Sequence, residues 1–196
     1  MIRHALALVA ILLVVTGCSA KDVVKPSAPD IDVATSDMVA MKAKSDIAPC
    51  PAAQTKDGGL PGQTLRCLGG GRAVDLSTLK GPLVLNFFFA NCAPCRKEMP
   101  ALEAFYRDYG DKVPVLGVDS VDAYPGIALR LAIQRGVTYP LVADPAGDLQ
   151  GSDLTVHGMP TFFFLRADGT IAKAQGGKTS EQQIVTMVEQ NLGVDL

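Results

Sequence analysis

"FFFANCAPCRKEMP", residues 87–100, sets an apolar run against a change of period, with two cysteines three apart at the junction. Upstream, "PLVLNFFF" (82–89) is a continuous apolar run of strand length, rich in β-formers. That pattern suits a central strand buried on both faces. Downstream, Cys95, Met99, Leu102, Phe105 or Tyr106, and Tyr109 recur every three or four residues, as one face of an amphipathic helix does. Asn91 or Cys92 is expected to start this helix, with Pro94 in the first turn, where a missing N–H costs nothing. Pro100 removes the bond to the Arg96 carbonyl and predicts a kink. Cys92 then sits where unsatisfied N–H groups and the positive end of the helix dipole stabilise a thiolate. Cysteines so placed have pKa values lowered from about 8.5 to between about 3.5 and 7.5. Cys92 is expected to be exposed, and Cys95, one turn on, shielded and able to resolve a mixed disulfide on Cys92. A loop this short adds almost nothing to a structural disulfide, so the spacing favours redox chemistry.

The rest of the domain reads as strands alternating with helices. "VPVLGVDS" (113–120) is a strand, and "AYPGIALRLAIQRG" is a helix ending at Gly136. "YPLVADPAGDL" is a short strand and turn. "TFFFLRADGTIAKAQG" is an antiparallel hairpin around Ala167-Asp168-Gly169, because Asp-Gly supplies the positive φ of a tight turn. "TSEQQIVTMVEQNLG" closes the chain as a helix, with Thr179 or Ser180 as N-cap and Gly193 as stop. The order spells an α/β sandwich with a mixed sheet.

The N-terminus speaks to compartment. "MIRHALALVAILLVVTGCSA" has a short basic head, then an apolar run from Ala5 to Val15, then "VTGC". Eleven or twelve apolar residues reach only about 18 Å as a helix, against about 30 Å of hydrocarbon. The segment fits an export signal over residues 1–17, and its end resembles a bacterial lipobox, with Cys18 as the lipidated first residue of the mature chain. Residues 18–48, rich in Pro, Ser, Asp and Lys, read as a flexible tether, with weak helix around Ser36 to Lys44. Residues 49–196 form one domain. Loss of Arg3 with the signal makes the net charge of −2 one unit more negative, and no basic run appears, so nucleic acid is excluded as a partner.

Five cysteines in an exported chain need sorting. With Cys18 carrying lipid, Cys50 and Cys67 flank a Gly/Pro/Gln loop of 16 residues with little to pack. A bridge there stabilises by about 3 kcal/mol through loop-closure entropy. The alternative joins them to Cys92 and Cys95 as four metal ligands, a spacing that fits a zinc pattern only loosely.

"GPLVLNFFFANCAPCRKEMPALEAFYRDY", followed by "VLGVDS", "VTYPLVADPAG" and "HGMPTFFFLRADGTI", resembles the TlpA/ResA-type branch of the thioredoxin superfamily. The resemblance covers about Cys67 to Leu196. It implies a thioredoxin-like three-layer sandwich, a mixed central sheet flanked by helices. It also implies that Cys92 and Cys95 are catalytic, that Pro160 is a cis-proline, and that the Met159 backbone receives a substrate chain. Glu98 matches a glutamate that assists proton transfer; its alternative role is an exposed partner for neighbouring lysines. Asn86 stands where thioredoxin itself has a buried aspartate, and an amide cannot relay a proton. Asn91 stands where the family commonly has Trp, and the chain has none.

The function implied is an extracytoplasmic thiol–disulfide oxidoreductase, lipid-anchored to the bacterial membrane. It would act on protein disulfides or dithiols with a membrane redox partner and no cofactor, and the family's usual association is cytochrome c maturation. The competing reading is a copper(I) chaperone using Cys92, Cys95 and His157 or Met159, all soft or borderline ligands. Peroxidase chemistry wants a threonine and proline ahead of the first cysteine, which "FFFAN" lacks. "LGGGR" (68–72) lacks the lysine and helix of a phosphate loop and reads as a turn.

Overall fold

The computed structural model describes residues 30–54 and 58–196. The expected signal and Cys18 lie outside them. The elements run α1 Ser36–Lys42, β1 Thr64–Cys67, β2 Val74–Asp75, a 3-10 turn Leu76–Thr78, β3 Leu83–Phe88 and α2 Ala93–Tyr109. They continue with β4 Val115–Ser120, α3 Pro125–Gln134, β5 Leu141–Asp144, β6 Thr161–Leu165, β7 Ile171–Gln175 and α4 Glu181–Leu192.

The seven strands form one mixed sheet in the order β2-β1-β5-β4-β3-β6-β7. β3, β4 and β5 are parallel neighbours, and the hairpins β1–β2 and β6–β7 close the two edges antiparallel. The apolar "LVLNFF" strand is central and buried along its whole length, as a strand covered on both faces must be. Alternation along it feeds two cores. Val84 and Phe88 join the buried faces of all four helices, while Leu83, Leu85 and Phe87 point to the opposite side. That opposite side is closed by Leu65, Val74, Leu76, Leu149 and Leu154, so the outer layer there is hairpin, 3-10 turn and loop.

Local signals set the element ends. Ser180 caps α4 through its side chain, and Gly193 ends it in the left-handed region, φ 70°. Gly169, φ 83°, makes the β6–β7 turn. α2 stays helical through Pro100.

The expected tether is corrected in its second half. Val33, Met38 and Ile47 are buried in the helix-side core, and α1, capped by the Thr35 side chain, packs near α3. Backbone bonds fasten the segment: Gly69 N–H to the Val33 carbonyl at 2.8 Å, and Ala48 N–H to the Thr138 carbonyl at 2.7 Å. Three isolated apolar anchors suffice because they enter a core that already exists, and such anchors leave no period in the sequence. Cys50 and Cys67 are joined as a disulfide, which ties this segment to β1.

Candidate active site

The site grows from the end of β3. Past Phe89 and Ala90 the chain turns at Asn91, and Cys92 caps α2, with Pro94 in the first turn. Cys92 and Cys95 are joined as a disulfide. The Cys92 sulfur accepts from Cys95 N–H at 3.2 Å, a contact with one of the helix's free amides. Cys92 is 4% exposed and Cys95 2%. The expectation of an exposed first cysteine is therefore corrected for the oxidised state. Asn91, Ala93 and Pro94 take the exposed positions around it, and each sulfur fills space against the other.

Glu98 lies one turn beyond Cys95 and is 1% exposed, so it is no surface partner for lysines. Asn86 Nδ2 donates to its Oε1 at 3.1 Å, while Lys178 N–H, at 2.9 Å, and Gly177 N–H donate to Oε2. Burial pushes its pKa up, and these donors, with the Lys178 charge, oppose that rise without cancelling it. None of its hydrogen bonds goes to a cysteine sulfur.

Met159–Pro160 is a cis peptide. The Pro160 carbonyl accepts from Gly176 N–H at 3.0 Å and from the Gln175 side chain. A Cβ on Gly176 would lie 2.6 Å from Glu98 Oε2 and 2.8 Å from Pro160 Cγ. Residues 176–178 thus hold the glutamate and the proline loop together, and only glycine allows it. Met159 is half-buried and packs on the same core as both cysteines. His157 is exposed two residues earlier.

Two acids behind the cysteine loop were missed in the sequence. Asp122 accepts from Ala90 N–H at 2.6 Å and from Tyr124 N–H at 2.8 Å, fastening the backbone just ahead of Cys92. Asp119 pairs in register with Phe88 and is fully buried. Among the described residues neither of its oxygens has a hydrogen-bond partner. Burial first, and the Asp122 carboxylate second, push its pKa well above the usual carboxylate range. "VDSVD" carries one signal, an acid at a position that alternation along β4 sends inward.

Residues 53–174 match the AhpC/TSA family. The chain belongs to that family. It is 31% identical over 138 residues to the thioredoxin-like protein YneN of Bacillus subtilis, covering 69% of this chain and 77% of that one. It is 28% identical over 122 residues to the thiol-disulfide oxidoreductase ResA of Halalkalibacterium halodurans, covering 61% and 68%. A crystal structure of a putative thiol:disulfide interchange protein DsbE from Chlorobium tepidum superposes with a TM-score of 0.53 at 27% identity, over 71% of this chain and 99% of that one. The protein is a thiol–disulfide oxidoreductase with a thioredoxin-like α/β fold.

Proposed function

We propose that the chain is a membrane-tethered, extracytoplasmic oxidoreductase whose redox centre is Cys92–Cys95. In the reducing direction, the Cys92 thiolate attacks a substrate disulfide, forming a mixed disulfide and releasing one substrate sulfur as thiolate. Cys95, giving its proton to Glu98, attacks the Cys92 sulfur and frees the second. The protein ends oxidised and the substrate reduced, by two electrons. The oxidising direction reverses these steps. Met159 and Pro160 receive the substrate backbone, and lipid on Cys18 holds the protein at the membrane beside a redox partner. The TlpA/ResA resemblance supports reduction in the service of cytochrome c maturation.

The observation that carries this reading is the disulfide at the N-terminus of α2, one helical turn from a buried glutamate tied to the Pro160 loop. Replacing Cys95 with Ser tests it, since resolution is then impossible and substrate should remain covalently held on Cys92. Cys92→Ser should capture nothing. Failure of the Cys95 variant to hold any thiol partner, with tight binding of one copper(I) by the native dithiol, would instead favour the copper reading.

A further inference from the structure

The second disulfide is not packed like an inert staple. Lys42 Nζ donates to the Leu68 carbonyl at 3.0 Å and the Gly70 carbonyl at 3.1 Å, and lies 3.0 Å from Cys67 Sγ. The two carbonyls fix the ammonium, and its third N–H meets the sulfur. A disulfide sulfur is a weak acceptor, so that contact adds little while the bond is intact. Once Cys67 is a thiolate, the same contact is a charge-assisted pair in a half-buried setting. Among the described residues no carboxylate forms an ion pair with Lys42, whose pKa burial lowers. The counter-charge it lacks is the one that reduction would create.

The surroundings are equally one-sided. Cys50 lines a cavity of about 860 Å³, walled by Val39, Ile47, Pro49 and Pro51 with Lys42 and Arg72, while Cys67 does not line it. Among the described residues, two cations and no acid line this space. As a residue, Cys50 is 8% exposed and Cys67 2%.

We propose that Cys50–Cys67 is a second redox couple, attacked at Cys50 by a small anionic thiol in the cavity, with Lys42 receiving Cys67 as the leaving thiolate. The entering thiolate bonds to Cys50 Sγ as the Cys50–Cys67 bond breaks, and Cys67 departs with the electron pair beside the ammonium. A second thiol molecule, as thiolate, attacks the entering sulfur and leaves as its own disulfide. Cys50 departs as thiolate and takes a proton from solvent. Two thiols are oxidised and one protein disulfide is reduced. A leaving thiol of lowered pKa departs faster, which gives the ammonium a kinetic role.

The test uses the full chain with Cys92→Ser and Cys95→Ser, so its result is independent of the first redox centre. Reduced glutathione is the probe, with cysteamine as a cationic control at matched thiolate concentration. Glutathione should open the bond faster than cysteamine, and acid quenching should leave the glutathione adduct on Cys50. K42M should slow opening by about ten-fold or more, while K42R retains most of the rate and K44M all of it. Equal rates for native and K42M chains, an adduct on Cys67, or no opening by glutathione would each overturn the proposal. The adduct's position is read with Lys42 in place and stands even where K42M fails to fold.

Discussion

Glu98 is a carboxyl with almost no water around it and three N–H donors on it. Burial outweighs the donors, so its folded pKa lies above that of an exposed glutamate, about 4.3. As a proton acceptor it works only above that raised pKa, so turnover should rise with pH through it. Glu98→Gln keeps the shape, cannot take the proton, and should lower turnover while removing that step from the pH profile. Asp119 gives a prediction on stability. Its folded pKa is raised, so above about pH 3.9 the unfolded chain gives up its proton before the folded one does. This contribution to stability is complete below the unfolded pKa and declines as pH rises toward the folded one. Asp119→Asn has no proton to lose, so its denaturation midpoint should fall less than the native one as pH rises above about 3.9. A slope as steep as the native would show that Asp119 does not titrate in this window.

At the scale of elements, two contacts carry measurable consequences. Gly176 joins the end of β7 to both Glu98 and Pro160 at distances a methyl group cannot occupy. Gly176→Ala should cost about 1–3 kcal/mol in denaturant unfolding and reduce turnover more than the loss of folded protein explains. α1 is anchored by Met38, buried against the helix-side core. Met38→Ala should cost about 2 kcal/mol or more, and hydrogen exchange across Ser36–Lys42 should quicken more than exchange in β3. The strand-to-helix switch at Cys92 was legible in the residues because an unbroken β-run gives way to helical spacing there. The docking of α1 was not, because Val33, Met38 and Ile47 lie too far apart to form a stripe and take their meaning from the surface they meet.

Across the whole molecule, the Cys50–Cys67 bond links the N-terminal segment to β1 and so to the sheet. Replacing both cysteines by Ala should lower stability by about 3 kcal/mol in non-reducing denaturation, the loop-closure contribution for this spacing. Under graded dithiol the Cys92–Cys95 pair should open first, and mass mapping of alkylated cysteines would reveal any reversal of that order. By itself the sequence determined the α/β alternation, the buried central strand, the cysteine pair at a helix N-terminus, and the stop at Gly193. Each of these depends on neighbours a few residues apart, and period, propensity and turn chemistry are local. Only the tertiary structure decided that Glu98 is buried with Asn86 and the 177–178 backbone on it. It alone placed Asp122 against Ala90, and Lys42 against Cys67. Those contacts join residues from 12 to 80 positions apart. Their energies come from desolvation and from the direction of single N–H groups, which exist only once the sheet has brought the segments together.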